Sequence, residues 1–264
     1  MKKFKNIAII TVSFLALLGV LGLAEASRRD VKFTDVKVNI DTSEGNYFVD
    51  EIDIESQVFA HGYQTGIEPV LNIDQKVLED QFDAMPSVKK AEVYHSLSGI
   101  LYVDITQRTP LVRVFANNQS FYLDKEGYVM PLSTKYTAKV PVANGVINVN
   151  YNDVAGMNFS TKNQITEENV ETLKLYEAYT LSKKFKEVDF WNAQFKQIYF
   201  KADGDIELVP SVGNHVILIN GVEELDESLT KLMILYKEGL SKTGWNNYKV
   251  INLKYKDQIV GIKR

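Results

Sequence analysis

Residues 88–106 read VKKAEVYHSLSGILYVDIT and contain two runs, 88–95 and 100–106, separated by the turn residues Ser96-Leu97-Ser98-Gly99. Leu101, Val103 and Ile105 alternate with polar residues, which is typical of a strand with one buried face. Gly99 can adopt positive φ at the end of the turn. The stretch therefore predicts a β-hairpin.

The residues before this hairpin predict one strand and two helices. Val36, Val38 and Ile40 alternate with polar residues, as in a half-buried strand. Asp50 stands at the N-cap position of a short helix that His61-Gly62 would end. A second helix is predicted from about Asp74 and is ended by Pro86. This order, strand, helix, helix, strand, strand, predicts an α+β domain with helices on one side of a three-stranded sheet.

The residues after about 107 are mostly short strands with flanking helices. Asp203-Gly204 predicts a two-residue type I′ turn between strands at 197–201 and 205–209. The remaining predicted elements are a strand at 215–219, a helix with an apolar stripe from Leu225 to Leu240 that ends at Gly244, a helix at 167–183 and one terminal strand at 248–262.

The amino-terminal segment has the composition of a membrane anchor. Residues 7–24 are eighteen consecutive positions without a charge. As a helix they would extend about 27 Å, close to the thickness of the hydrocarbon core. Lys2, Lys3 and Lys5 precede the segment, so the positive-inside rule keeps the short tail in the cytoplasm and places the body outside it.

The alternative for this segment is a cleaved signal peptide. Ala24-Glu25-Ala26 fits the small-x-small pattern that precedes a cleavage site, here before Ser27. The apolar run is longer than the roughly 7–15 residues usual in signal peptides, which favours the anchor. Both interpretations place the body outside the cytoplasm.

Charge and motif content exclude several functions. Without residues 1–24 the chain has 27 basic and 34 acidic residues, a net charge of −7, which argues against nucleic-acid binding. Cysteine is absent, so disulfides and thiol nucleophiles are excluded. His61, His95 and His215 are far apart in sequence, and no nucleotide-binding, zinc-protease or hydrolase motif is present. We therefore expect no catalytic site, cofactor, metal ion or small-molecule substrate.

The sequence thus predicts an α+β protein with a single transmembrane helix, a small α+β domain and a larger, mostly antiparallel β domain. The predicted boundaries are a cytoplasmic tail at 1–6, a transmembrane helix at 7–24, a juxtamembrane linker at 25–32, the first domain at 33–107 and the second domain at 108–264.

Several motifs, in this order, resemble the bacterial cell-division family of FtsQ and DivIB, in the variant found in the Bacteroidota. They are Tyr47-Phe48-Val49-Asp50, Gln107-Arg108-Thr109-Pro110, the segment from Phe121 to Gly127, the segment from Leu208 to His215, Gly244-Trp245-Asn246-Asn247-Tyr248 and the segment from Ile251 to Val260. The resemblance covers nearly the whole chain. It implies that residues 33–107 form a POTRA (polypeptide-transport-associated) domain.

The resemblance also implies a function. Family members are single-pass proteins of the cytoplasmic membrane that have a periplasmic body, gather at the septum, bind the coiled-coil proteins FtsB and FtsL and help to control septal peptidoglycan synthesis. Their POTRA domain serves recruitment near the membrane, and its exposed edge here is expected at residues 36–40. Family contacts in the distal helix cannot be placed on residues 223–240.

The resemblance places partner binding at the carboxy-terminal edge, where Tyr255 and Lys254 match partner-binding positions. Residues 256–262 are more apolar and more basic than in the best-known members, so individual contacts are expected to differ. A partner strand would add to this edge. The predicted partner-binding residues are Leu253, Lys254, Tyr255, Asp257, Gln258, Ile259, Val260 and Ile262.

Two other functions remain open from the sequence. The first is a POTRA-containing component of outer-membrane protein assembly or secretion. The second is a secreted cell-wall hydrolase, which would require both cleavage of the amino-terminal segment and a catalytic pair.

The anchor interpretation makes a direct prediction about the mature protein. Full-length protein purified from the membrane fraction should give an intact mass that begins at Met1, because an eighteen-residue apolar segment is retained as an anchor. A mature chain that begins at Ser27 and is found in the soluble fraction would contradict the prediction.

Overall fold

The computed structural model describes residues 10–22, 30–162 and 170–264. Helix α1 comprises residues 10–22, and its apolar side chains are exposed. The ends of the predicted segment 7–24 lie outside the described residues, as does Ala24-Glu25-Ala26. Within the described ranges, no helix combines the length and the apolar character needed to cross a membrane.

The chain divides into two compact units between Gln107 and Arg108. The first unit contains a three-stranded sheet in the order β1-β3-β2. Strand β1 is parallel to β3, and β2 is antiparallel to β3. The elements are β1 (Asp35–Asp41), α2 (Glu51–Ala60), a 3-10 turn (Val70–Asn72), α3 (Gln75–Asp83), β2 (Val88–His95) and β3 (Ile100–Gln107).

Local signals start both helices of this unit where the sequence predicts. The Asp50 carboxylate accepts a hydrogen bond from the backbone N–H of Asp53, and the Asp53 carboxylate accepts one from the backbone N–H of Asp50, which forms a capping box. Asp74 caps α3 through the N–H of Val77. Gly99 has φ +88° in the hairpin turn. The predicted order of strands and helices is confirmed.

The side chain of Gln107 organises the segment between β1 and α2. Its Oε1 accepts hydrogen bonds from the N–H groups of Phe48 and Val49 at 2.8 and 3.2 Å. Its Nε2 donates to the carbonyl oxygens of Asn46 and Asp41 at 2.9 and 3.3 Å. Gln107 is itself buried, so one amide satisfies backbone groups that water does not reach.

The second unit is built on a nine-stranded sheet in the order β12-β11-β10-β9-β8-β7-β4-β5-β6. Five neighbouring pairs are antiparallel and three are parallel. The strands are β4 (Pro110–Ala116), β5 (Gln119–Asp124), β6 (Val129–Met130), β7 (Val142–Gly145), β8 (Phe195–Phe200), β9 (Ile206–Pro210), β10 (Val216–Ile219), β11 (Tyr248–Asn252) and β12 (Val260–Lys263).

The helices of this unit supply much of its core. They are α4 (Tyr151–Val154), α5 (Val170–Glu187), α6 (Asp189–Gln194), α7 (Leu225–Ile234), a π-helical turn (Leu235–Leu240) and α8 (Ser241–Thr243). Helix α5 packs on β4 and β8 through the buried side chains of Leu175, Leu181 and Phe185. The helix predicted at 225–240 is α-helical as far as Ile234 and π-helical from Leu235 to Leu240. Gly244, with φ +99°, ends this helical segment.

The predicted type I′ turn at Asp203-Gly204 is wrong. Gly204 has φ +90°, but Asp203 does not have the positive φ that a type I′ turn requires. Lys201 donates its N–H to Asp205 and accepts from Gly204, so the loop is a type I turn followed by a left-handed glycine. The two-residue type I′ geometry occurs instead at Asn117-Asn118, with φ of 46° and 62°, between β4 and β5.

The single terminal strand predicted at 248–262 is also wrong. The chain leaves the sheet after β11, and Asp257 adopts φ +60° before β12 begins. The chain then returns antiparallel to β11. A left-handed residue cannot continue a strand, so the segment forms two strands and a loop.

We expect Gln107→Ala to destabilise the first unit by about 2–4 kcal/mol, because it removes the partners of several buried backbone groups at once. Gln64→Ala is the matched control, since Gln64 is exposed and should change stability by less than about 0.5 kcal/mol. Chemical unfolding of the full-length variants measures both values. Equal stabilities would show that Gln107 does not hold the 41–49 segment.

Candidate protein-binding edge

Strand β12 is the outermost strand of the nine-stranded sheet. Among the strands of the described residues it pairs with β11 alone, and all four of its residues are exposed. Val260 and Ile262 are 40% and 53% exposed. An exposed apolar edge strand is a ready acceptor for a strand from another chain.

The strand behind β12 is firmly part of the core. Strand β11 runs parallel to β10, with Ile251 fully buried. Leu253 donates its N–H to the carbonyl oxygen of Leu218 at 2.9 Å, and its side chain is only 3% exposed. The edge strand therefore pairs with a strand that Ile251 and the following Leu253 attach to the core.

Three contacts hold β12 and the residue that follows it against neighbouring segments. Arg264 donates its backbone N–H to the carbonyl of Asn247 at 3.3 Å, and its guanidinium to the carbonyl of Asn214 at 2.6 Å. The Tyr248 ring lies directly over Gly261, where a Cβ atom would be only 2.6 Å from it. Glycine at this position lets the aromatic ring pack across the edge.

The loop between β11 and β12 is attached to the body by two lysines. Lys254 forms an ion pair with Asp205 at 2.7 Å. Lys231 of α7 donates to the carbonyl oxygen of Tyr255 at 3.0 Å. The Tyr255 side chain remains 48% exposed, so the loop is held in place while this ring faces solvent.

The predicted partner-binding residues therefore lie in three environments. Val260 and Ile262 are in the exposed edge strand, and Tyr255, Asp257 and Gln258 are exposed in the loop. Lys254 is half-buried in its ion pair, and Ile259 packs against the core. Leu253 is buried and its N–H is bonded to Leu218, so the prediction that it contacts a partner is wrong.

An aromatic cluster lies at the start of β10 and β11. His215 and Tyr236 are buried, and His215 Nε2 lies 3.0 Å from the Tyr236 hydroxyl. The Nδ1 atom of His215 lies 3.4 Å from the carbonyl oxygen of Trp245. Because a carbonyl oxygen only accepts, Nδ1 carries the proton and Nε2 accepts from Tyr236.

Burial sets the protonation of this cluster. It lowers the pKa of His215, because the charged imidazolium loses hydration, and the bond to Trp245 opposes the shift only in part. Burial raises the pKa of Tyr236 to about 12. Both side chains are therefore neutral near pH 7, and they join α7 and its π-helical extension to the strands that carry the edge.

The motifs that carry the family resemblance serve mainly to hold the fold together. Asp124 is fully buried and pairs with Arg108 at 2.9 Å. It also accepts the N–H groups of Glu126 and Tyr128. Gly127 has φ +90°, and a Cβ atom there would lie 2.6 Å from the backbone nitrogen of Ser160. Gln107 and His215 are likewise buried, and their side chains hydrogen-bond to segments that are distant in sequence.

Sequence reasoning missed the residues that position the edge. Asp205, Lys231 and Tyr248 contact the loop or β12 from distant positions, and no local pattern indicates these pairs. Gly261 did carry a signal, because an isolated glycine in a strand often marks a close approach of another group. Among residues 10–22, 30–162 and 170–264, no group of three or more His, Asp or Glu side chains is placed to hold a metal ion.

The chain thus combines a small α+β unit with a second unit whose open sheet ends in an exposed strand. The family model for the POTRA-like domain matches residues 32–106. The model described as FtsQ/DivIB, C-terminal related, matches residues 109–262, more than half of the chain. The chain therefore belongs to the FtsQ/DivIB family of cell-division proteins. No curated protein sequence matches it.

The buried histidine predicts acid sensitivity. Since the pKa of His215 is lower in the folded state than the usual 6.5, its contribution to stability is complete above that value and decreases as the pH falls below it. The decrease is at most about 1.4 kcal/mol per pH unit. Burial raises the pKa of Glu177 to about 7, and this group changes stability in the opposite direction over the same range.

The comparison of wild type with His215→Gln between pH 7.5 and 5.5 isolates the histidine, because Glu177 is present in both chains and cancels. The difference in the free energy of unfolding between wild type and His215→Gln should become smaller as the pH falls. His61→Gln, at an exposed histidine, is the matched control for the loss of an imidazole outside the cluster. A difference between wild type and His215→Gln that does not vary with pH would contradict a buried neutral imidazole.

Proposed function

We propose that this protein is a non-catalytic cell-division scaffold that binds FtsB/FtsL-type coiled-coil proteins outside the cytoplasm and links them to septal peptidoglycan synthesis. The observation that carries the proposal is the exposed edge strand β12, held on a rigid sheet. Family membership supplies the cell-division context.

Binding would occur by strand addition. A partner segment next to β12 would become a tenth strand, and main-chain hydrogen bonds would provide much of the affinity. The apolar side chains of Val260 and Ile262 lie on the added surface, and Tyr255 is exposed in the adjoining loop. These side chains would set register and specificity, because alternate positions point to opposite faces.

We also propose that residues 7–24 anchor the protein in the cytoplasmic membrane, with the amino terminus inside and the body in the periplasm at the septum. The charge-free composition of the segment and the exposed apolar side chains of α1 support this proposal. An anchor would keep the scaffold beside partners that are themselves single-pass membrane proteins.

The POTRA-like match also favours a second candidate, a component of outer-membrane protein assembly or secretion. Depletion in the native cell separates the two functions. Filaments or lysis with unsplit septa support division, whereas normal septa with defective outer-membrane proteins support the second candidate.

For the edge itself, we expect Ile262→Glu and Tyr255→Glu each to weaken co-purification of the coiled-coil partners by at least about tenfold, because a charge replaces an apolar contact at the added strand. Phe115→Glu is the matched control. Phe115 is 41% exposed on β4, in the interior of the same sheet, and its replacement should leave binding unchanged.

Thermal unfolding of each variant verifies that the sheet remains folded. Undiminished binding by both edge variants would overturn the docking edge. Equal losses in the edge variants and in Phe115→Glu would also contradict it, since they would show a general effect of added charge.

A further inference from the structure

The first unit closes one margin of its sheet with its own side chains. Ala91 and Val93 of β2 point their backbone N–H groups away from β3. Ala91 donates to Asp83 Oδ1 at 2.7 Å, and Val93 donates to Glu79 Oε1 at 3.0 Å. Both carboxylates come from α3, and hydrogen bonds to charged acceptors are about twice as strong as neutral ones. An incoming strand would have to displace both.

The opposite margin is open. Strand β1 has β3 on one side, and none of the strands within residues 30–162 and 170–264 lies on the other. Over the described parts of the chain, no side chain from another element is bonded to the backbone of Val38, Asn39 or Ile40. An open margin offers unpaired backbone groups to an extended chain.

A groove lies beside this open margin. It has a volume of about 450 Å³ and is lined on one side by Val38 and Ile40 and on the other by Tyr47 and Ile52. Tyr47 is 56% and Ile52 is 73% exposed. Val38 and Ile40 share a face with the buried Val36 but are only partly covered. Apolar side chains of an added strand would fit here at every second position.

Charge distinguishes this groove from the other open edge. Residues 32–107 contain 14 acidic and 5 basic residues, a net charge of −9, whereas residues 108–264 contain 18 acidic and 20 basic residues, a net charge of +2. Asp41, Glu44 and Glu51 are close to the groove in sequence, and Glu51 lines it. The partner that this surface fits is therefore cationic.

We propose that β1 is a second strand-acceptor site, which binds an extended segment of another protein in which apolar residues alternate with lysine or arginine. The apolar residues enter the groove between β1 and α2, and the basic residues point to the opposite face of the sheet, on which Asp35 and Asp41 of β1 lie. This site is separate from β12 and uses a different unit of the chain. A second copy of this chain is a poor occupant, because it would bring together two units that each carry a charge of −9.

Three synthetic peptides of ten residues test the proposal on full-length protein in neutral detergent at low ionic strength. The first alternates valine and lysine, the second alternates valine and glutamate, and the third replaces the valines of the first by proline. The third keeps the charge but lacks half of the backbone N–H groups that strand addition uses. Hydrogen exchange followed by mass spectrometry locates the binding.

We expect the valine-lysine peptide to slow exchange in residues 35–41 and to leave residues 88–95 and 260–263 unchanged. The valine-glutamate and proline peptides should bind at least about tenfold more weakly. Binding of the first peptide should also weaken as salt is added. Slower exchange only at β2 or β12, or equal binding of all three peptides, would overturn the proposal.

A variant pair tests the groove. Ile52→Arg should weaken binding of the valine-lysine peptide by at least about fivefold, because the arginine side chain fills the groove and its positive charge repels the lysines. Leu97→Arg makes the same change of charge at a side chain that is 74% exposed in the β2–β3 turn. It should weaken binding of the peptide less than twofold. Equal losses in the two variants would show general charge attraction and contradict a site at β1. Because β12 is intact in both variants, a failure here leaves the edge proposed for the coiled-coil partners untouched.

Discussion

Every strand at the margin of a sheet leaves a row of backbone N–H and C=O groups that need a partner. The four margins of the two described sheets meet this need in two different ways. Two margins are closed by the chain itself. Asp83 and Glu79 cap β2. Strand β6 is two buried residues long, and Val129 donates its N–H to the carbonyl of Met157. The other two margins, β1 and β12, remain open, and they are where binding is proposed.

The two open margins differ in what surrounds them, so they would select different partners. Strand β12 belongs to a unit of nearly balanced charge and has the exposed apolar residues Val260 and Ile262. Strand β1 borders an apolar groove on a unit with a net charge of −9. Main-chain pairing is the same for any extended chain, so specificity must come from these side chains and charges. The two proposed acceptors belong to different units of the chain.

Most of the first unit could be predicted from the sequence, because its signals are local. Asp50 and Asp74 cap their helices, Gly99 supplies the hairpin turn, and alternation identifies the strands. The second unit was harder, since its turns depend on backbone geometry that residue type only suggests. Asp203-Gly204 forms a longer loop, whereas Asn117-Asn118 adopts the tight turn. The break between β11 and β12 depends on Asp257, a non-glycine residue with positive φ, and on contacts with Asp205 and Lys231 that are remote in sequence.

Most of the motifs that identify the family lie in the buried frame of the two units, and only the last motif, 251–260, overlaps the residues proposed to bind partners. Gln107, Asp124 and His215 are buried, and each satisfies polar groups that have no access to water, so substitution there disturbs the fold. Tyr255, Val260 and Ile262 are exposed, and packing constrains them little. Recognition of the family therefore fixes the scaffold and the position of its open edges. In the proposed mechanism the exposed residues along those edges select the partners, because packing leaves their side chains free to vary.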